Sequence, residues 1–196
     1  MKYTPLFRIH CAAGAVFEPL TEGWAAPLRF GEPAEEARRM RESVGIADWS
    51  WIAKVDLWGA GVHTAVAGFG FRVWPLGGLH ALATCEPARK PELDAWIAAR
   101  QLSATDVTGG YANFLVAGPQ ARQVLRKLTS LDLERSGQTS LAHVQAIVLR
   151  QDLGGLPAYQ VLVGRDYGES VWESLLHAGE EFHLEPVGVE AVRMLC

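Results

Sequence analysis

The feature that most constrains the fold is a series of short apolar segments of strand length, which are separated by turns and helices. Residues 144–149 and 158–163 are two such segments, and the chain between them contains Gly154-Gly155. This spacing predicts a β-hairpin with a glycine turn. Residues 51–58 form two alternating faces, which predicts another strand. Strands this short, interrupted by hairpins, favour a mixed α+β architecture over a doubly wound parallel sheet.

Helices are predicted between the strands. Residues 32–44 carry apolar side chains at helical spacing, with Pro33 suited to the first turn and Gly45 placed to end the helix. A short helix over 62–68 and a longer one over 169–178 are also predicted. The chain therefore alternates strands and helices along most of its length.

The domain organisation is predicted to be simple. Residues 1–30 scatter aromatic and proline side chains among turn formers, which indicates an irregular segment that wraps the core. The turn at 102–110 separates two small mixed α/β lobes, about 1–104 and 105–196. Each lobe alone would have a thin core, so we expect them to form one domain.

Composition excludes several classes of protein. The 196 residues are 49% hydrophobic and 20% charged, with 18 Lys and Arg against 22 Asp and Glu. This balance excludes a disordered chain, and the absence of a basic run argues against nucleic-acid binding. No window of 18 apolar residues predicts a membrane span, and Arg8 and His10 interrupt the stretch that a signal peptide would need. Three scattered cysteines predict reduced thiols in the cytoplasm.

No sequence motif names a catalytic residue or a metal site. The glycine pairs lack the spacing of phosphate-binding loops, the six histidines form no ligand pattern, and no serine or cysteine lies in a nucleophile motif. Tryptophan is more informative, because seven are present and two flank Ser50 where a strand begins. We expect one of Trp49 and Trp51 to face the core and the other a cleft or a partner.

Several blocks of sequence together carry a family resemblance. They are Thr4-Pro5-Leu6-Phe7, His10, Gly14-Ala15, Gly23-Trp24, Pro27, Glu36, Arg38 to Arg41, residues 44–50 (Val-Gly-Ile-Ala-Asp-Trp-Ser), residues 117–121 (Ala-Gly-Pro-Gln-Ala), residues 172–176 (Trp-Glu-Ser-Leu-Leu) and residues 185–188 (Glu-Pro-Val-Gly). In this order and spacing they resemble the aminomethyltransferase (glycine-cleavage T-protein) family. The resemblance implies an α+β folate-binding domain over residues 1–196, with tetrahydrofolate in a central channel and a function in one-carbon transfer.

The sequence also departs from that family in ways that affect function. Residues 74–78 run directly into the strand predicted at 79–84, so the aspartate strand of the family enzymes has no counterpart here. Leu156 stands where the family signature has its pterin-binding glutamate. The chain ends at residue 196, before the C-terminal segments of the full-length enzymes. These departures imply a subunit that is non-catalytic by itself, and they leave open whether tetrahydrofolate still binds.

The shortened pattern is similar to the small gamma subunit of heterotetrameric sarcosine oxidases. This second resemblance implies a larger flavin- or folate-binding partner subunit, and a homo-oligomer is the other possibility. Two further interpretations stay open. One is a tetrahydrofolate-dependent aminomethyl or methyl transferase with a rearranged site that uses Asp48 or Asp152, and the other is a free-standing folate-binding module.

The resemblance also suggests cofactor-binding residues. Asp48, Trp51 and Ile52 match the family's Asp-Val-Ser-His-Met stretch near the folate channel, with tryptophan in place of histidine and isoleucine in place of methionine. Arg150 matches the arginine that opens the signature containing the glutamate. These four residues are the predicted contacts with tetrahydrofolate.

Overall fold

The computed structural model describes residues 1–20, 23–62, 66–67 and 70–195. The strands are β1 (Lys2–Tyr3), β2 (Val16–Pro19), β3 (Trp24–Arg29), β4 (Gly45–Asp48), β5 (Ala53–Trp58), β6 (Val66–Ala67), β7 (Phe71–Gly77), β8 (His80–Cys85), β9 (Ser103–Asp106), β10 (Tyr111–Ala117), β11 (Gly137–Leu141), β12 (Val144–Arg150), β13 (Ala158–Gly164) and β14 (Glu185–Pro186). The helices are α1 (Phe7–Ala12), α2 (Pro33–Glu42), α3 (Lys90–Ala98), α4 (Ala121–Arg126), α5 (Gly168–Gly179) and α6 (Val189–Arg193). The mixed α+β architecture is thus confirmed.

The amino-terminal residues form a sheet of three strands, not the irregular segment that the sequence predicts. Strand β3 lies in the middle, parallel to β1 and antiparallel to β2. The first five residues of β3 are all buried, so the strand lacks the alternation that marks a half-exposed strand. Pro27 within it also argues against a central strand. Both features explain why the sequence pattern misses this sheet.

The largest sheet has six strands in the order β11-β12-β13-β10-β4-β14. Strands β12 and β13 form the predicted antiparallel hairpin, and a bridge between Leu153 and Leu156 closes its turn. Helices α4 and α5 cover one face, where Trp172 packs against Phe114 of β10 with ring centroids 5.3 Å apart. The helix predicted over 169–178 is therefore confirmed as α5, and it contributes to the main core.

The third sheet has five strands in the order β6-β7-β8-β5-β9. Helix α3 covers one face with Leu93 and Ile97. The other face packs against the six-stranded sheet through a cluster of large apolar side chains, namely Trp74, Leu82, Ile147, Leu149 and Leu162. The two larger sheets therefore face one another.

Two further predictions concern the connections. Helix α2 confirms the helix predicted over 32–44 as far as residue 42. The short helix predicted over 62–68 is wrong at Val66–Ala67, which pairs with β7 as a strand, while residues 63–65 and 68 lie outside the described residues. The division into lobes near residue 104 stays a prediction. Strand β4 crosses it by pairing with β10, and β9 crosses it by pairing with β5.

Within the part of the chain that the structure describes, none of the helices is both long and apolar enough to cross a membrane.

Candidate functional site

A cavity of about 290 Å³ lies between the six-stranded and five-stranded sheets. Trp49 and Ile52, in the turn between β4 and β5, form one part of its wall. Gln151 and Gln160 contribute from the β12–β13 hairpin, and Thr84 contributes from β8. A mainly apolar cavity with a few polar groups is the usual form of a small-molecule site. We refer to it below as the inter-sheet cavity.

A row of buried amides leads into this cavity. The Asn113 amide nitrogen donates to Gln160 Oε1 at 2.9 Å, and the Gln160 amide nitrogen donates in turn to Gln151 Oε1. Asn113 and Gln160 are 0% and 1% exposed. Asn113 Oδ1 and the indole N–H of Trp49 are buried without a hydrogen-bond partner among the described residues. Since an unpaired buried polar atom is costly, the indole N–H of Trp49, a residue of the cavity wall, is suited to a ligand that carries an acceptor.

These amides could have been found from the sequence. Each is a polar residue inside an otherwise apolar strand, Asn113 in β10 and Gln160 in β13, and such a residue needs a buried partner. The antiparallel register places Asn113 opposite Leu162, and Gln160 lies two residues before Leu162 on the same face of β13. Sequence analysis singled out neither as a site residue, because their partners are distant in the chain.

Asp48 is fully buried beside the cavity and forms hydrogen bonds with His10 and Ser50. Its Oδ2 accepts from His10 Nε2 at 2.9 Å, and its Oδ1 accepts the backbone N–H of Ser50 at 2.9 Å. Burial acts to raise the pKa of Asp48, but the hydrogen bond and charge of His10 and the hydrogen bonds of Ser50 lower it by more, so it lies below its ordinary value. Asp48 is therefore an ionised group that holds the start of the turn at 49–52.

Lys54 holds the other end of the same turn. Its ammonium donates to the carbonyl of Ser50 at 3.0 Å and to that of Ile52 at 2.7 Å, with the side chain completely buried. Burial lowers the pKa of Lys54 to about 7, although the charges of Asp48 and Asp106 act in the opposite direction. The turn that carries Trp49 and Ile52 is thus held by one buried carboxylate and one buried amine.

The four predicted cofactor contacts occupy different places. Ile52 lines the inter-sheet cavity. Trp51 is 2% exposed and packs with Trp24, which makes it a core residue. Trp49 lines the cavity. The expectation that one of the two tryptophans faces the core and the other a cleft is thus confirmed. Asp48 lies behind the wall. Their contact with a cofactor stays a prediction.

Arg150, the fourth residue, points to other charged side chains. Its guanidinium donates to both carboxylate oxygens of Asp152 at 3.2 Å and to Glu134. The hydrogen bond and charge of Asp152, followed by those of Glu134, raise the pKa of Arg150. The pairs tie the β12–β13 hairpin to the segment before β11, so this geometry is that of a structural ion pair.

The hairpin turn places an apolar side chain where the family signature has an acid. Gly154 and Gly155 adopt φ values of +54° and +82°, which form the tight turn between Leu153 and Leu156. Leu156 is partly buried and packs against the apolar cluster that contains Leu153 and residues of α6. The turn therefore contributes packing, and its side chain at position 156 cannot accept a hydrogen bond.

In residues 1–20, 23–62, 66–67 and 70–195, no group of three or more His, Cys, Asp or Glu side chains is placed to hold a metal ion.

Comparison with known proteins gives relatives along nearly the whole chain. An aminomethyltransferase from Desulfitobacterium hafniense strain Y51 is 23% identical over 227 residues, covering 97% of this chain and 62% of that protein. The alpha subunit of sarcosine oxidase from Corynebacterium sp. strain P-1 is 24% identical over 246 residues, covering 99% of this chain and 25% of that subunit. The chain thus spans 62% of the length of the aminomethyltransferase that it matches.

Solved structures show the same fold. The glycine cleavage system aminomethyltransferase T from Bartonella henselae superposes with a TM-score of 0.79 at 18% identity, covering 99% of this chain and 61% of that one. A chain of heterotetrameric sarcosine oxidase from Corynebacterium sp. U-96 superposes with a TM-score of 0.64 at 19% identity, covering 92% of this chain and 96% of that one. The GCVT N-terminal domain model matches residues 78–196. Because this match covers more than half of the chain, the protein belongs to the GCVT N-terminal domain family.

Proposed function

We propose that this chain is a companion subunit, without a catalytic acid of its own, in a tetrahydrofolate-linked amine-demethylating or amine-oxidising enzyme of the cytoplasm. Residues 1–196 act as one domain, which binds a larger flavin- or folate-binding subunit and completes a shared site with it. One observation carries the proposal. The two fully buried carboxylates of the described chain, Glu36 and Asp48, both accept hydrogen bonds from groups of the protein itself.

Glu36 and Asp48 accept hydrogen bonds from different groups. Glu36 accepts three backbone N–H groups, those of Phe30 at 2.7 Å, Gly31 at 2.6 Å and Gly188 at 2.7 Å, and so joins α2 to the start of α6. Asp48 is held by His10 and by the backbone after it. A general acid or base must reach the proton that it transfers, either directly or through one water. Neither carboxylate meets this requirement for a ligand in the inter-sheet cavity, and Glu86, the carboxylate in the cavity lining, is exposed and paired with Arg193.

The inter-sheet cavity has polar groups that can bind the ring of tetrahydrofolate, but it offers no free acid for proton transfer. A pteridine ring presents several donors and acceptors along its edges, and the unpaired indole N–H of Trp49, a residue of the cavity wall, complements an acceptor on such an edge. Gln151 and Gln160 offer further amide groups. Bound tetrahydrofolate would supply the nitrogen atoms N5 and N10 that accept a one-carbon unit. The chain's residues bind and orient the ring here, and a proton-transfer group has to come from the partner.

A partner subunit is also supported by the relatives. One of them is the alpha subunit of a sarcosine oxidase, and a chain that matches at TM-score 0.64 belongs to a heterotetrameric enzyme. Glu86 and Arg193, which pair at 4.0 Å, line the inter-sheet cavity on the side where both side chains are exposed. A larger subunit that covers this side would enclose the ligand.

Two measurements test the proposal. Isothermal titration calorimetry with tetrahydrofolate should show binding that Gln160→Leu abolishes, since leucine removes both amide hydrogen bonds, whereas Gln138→Leu on an exposed strand position should leave it unchanged. Incubation of the isolated chain with tetrahydrofolate and an S-aminomethyl thiol, whose carbon is already at the oxidation level of the product, should form no 5,10-methylene-tetrahydrofolate, ammonia and free thiol above the uncatalysed rate. Turnover by the isolated chain would refute the proposed absence of a catalytic acid.

The partner is tested by co-expression with the neighbouring reading frames. The tagged chain should then elute with a larger flavin-containing subunit on size-exclusion chromatography. Elution as a monomer, or as a homo-oligomer that excludes the neighbours' products, would contradict the companion-subunit role.

A further inference from the structure

A second cavity, of about 680 Å³, lies where the three sheets approach one another. Its wall takes Lys2 and Tyr3 from β1, Ala53 from β5 and Arg165 from the turn after β13. Cavities of this size at the junction of structural layers are common small-molecule sites. We call it the three-sheet cavity.

The three-sheet cavity is separate from the inter-sheet cavity. Ala53 and Pro87 line the former, whereas their chain neighbours Ile52 and Glu86 line the latter. The start of β5 and the end of β8 thus stand between the two spaces. A ligand in the three-sheet cavity therefore meets a different set of side chains.

Positive charge converges on this cavity in a protein whose formal net charge is −4. Lys2, Lys90 and Arg165 line it, together with a single carboxylate, Asp106. Asp106 is already engaged, because its Oδ1 accepts the backbone N–H of Thr108 at 2.9 Å and its Oδ2 lies 3.9 Å from Lys90 Nζ. Lys2 and Arg165 form no ion pair with the described residues. The cavity thus has two uncompensated cations.

Flat apolar side chains accompany these cations. Trp24 is 8% exposed and lines the cavity, with Lys2 Nζ 5.9 Å from the centre of its ring. Tyr3 adds a second aromatic ring, and Pro87 and Pro91 add two further flat surfaces. Aromatic and proline side chains of this kind favour a planar apolar group.

We propose that the three-sheet cavity binds an aromatic carboxylate, that is, a planar ring that carries one or more carboxylate groups. The ring lies against Trp24 and Tyr3, and the carboxylates pair with Lys2 and Arg165, since a guanidinium receives a carboxylate through two parallel hydrogen bonds. This inference goes beyond the proposed function and does not depend on it.

The test uses isophthalate, an aromatic ring with two carboxylates, as the probe. Its binding to the full chain is followed by calorimetry and by tryptophan fluorescence. Arg165→Gln and Lys2→Gln should each weaken binding by about tenfold, the effect of removing one hydrogen-bonded charge. Arg135→Gln, at an exposed position outside the cavity, should leave the affinity unchanged. Trp24→Phe should retain binding and abolish the fluorescence change.

Further arms of the test separate the alternatives. The neutral diamide of the probe should not bind, because the cations would gain no partner. Gln160→Leu, which disrupts the inter-sheet cavity, should leave binding unchanged, so a failure of tetrahydrofolate binding there is distinguishable from a failure here. Binding of adenosine monophosphate in preference to the probe would overturn the assignment of a carboxylate ligand. No binding of the probe at millimolar concentration would overturn the proposal altogether.

Discussion

Replacement of Lys54 by methionine should change how the stability of this protein depends on pH. Burial lowers the pKa of Lys54 to about 7 in the folded protein, whereas the unfolded chain keeps the ordinary value of 10.5. Between these values the unfolded chain binds more protons than the folded one, so the free energy of unfolding rises with pH. The difference is half a proton at pH 7 and nearly a whole proton at pH 9.

The expected size follows from this proton difference. At about 1.36 kcal/mol per pH unit and proton, the Lys54 ammonium makes the wild type gain about 2 kcal/mol between pH 7 and pH 9 relative to Lys54→Met. The variant also leaves the carbonyls of Ser50 and Ile52 without their donor, but this cost does not depend on pH. The slope, and not the absolute stability, therefore reports on the buried charge.

Urea denaturation followed by tryptophan fluorescence at pH 7, 8 and 9 measures this difference. Other titrating groups, including Cys85, are common to both proteins and cancel in the subtraction. Lys2→Met is the matched control, because Lys2 is exposed and the same substitution there removes no buried amine. A wild-type-minus-variant difference for Lys54 that stays constant from pH 7 to pH 9 would refute the reasoning.

Three other perturbations test the packing around the site. His10→Ala should lower the free energy of unfolding, measured by urea denaturation, by about 3–5 kcal/mol, because it leaves the Asp48 carboxylate buried without its partner. The wild type should lose stability as the pH falls through the Asp48 pKa, and Asp48→Asn should remove this loss. Gly154→Ala should destabilise by at least about 2 kcal/mol, since its Cβ would lie 1.8 Å from a neighbouring carbonyl oxygen, and Gly155→Ala, which meets open space, should cost less. Cys85, buried and with its pKa raised to about 11, should resist iodoacetamide at pH 8 in the native protein and react in urea, as peptide mapping would show.

Local pattern predicted the regular elements well where each strand contains its own signal. The strand predicted at 79–84 forms as β8 (His80–Cys85), and the hairpin of β12 and β13 forms around the two glycines. Alternation failed where a strand is buried on both faces, as in β3, or is only four residues long, as in β4. Such strands are defined by their neighbours in the sheet, which a single sequence does not display.

The candidate site was predicted only in part for a related reason. The family-like stretch pointed to the turn at 49–52, and the structure places Trp49 and Ile52 of that turn in the cavity wall. Gln151 and Gln160 come from the distant β12–β13 hairpin and meet Asn113 only through strand register. Pairing across 47 residues, as between Asn113 and Gln160, depends on tertiary structure and is invisible to local periodicity.

The turn at 49–52 links the buried charges to both cavities. Its side chains point in turn to the inter-sheet cavity at Trp49, to the polar network at Ser50, to the core at Trp51 and to the cavity again at Ile52. The next residue, at the start of β5, already lines the three-sheet cavity. Asp48 and Lys54 anchor the two ends of the turn, so neither has to touch a ligand to influence binding. Their buried charges position the wall that the two cavities share, and a change in either should alter ligand affinity on both sides.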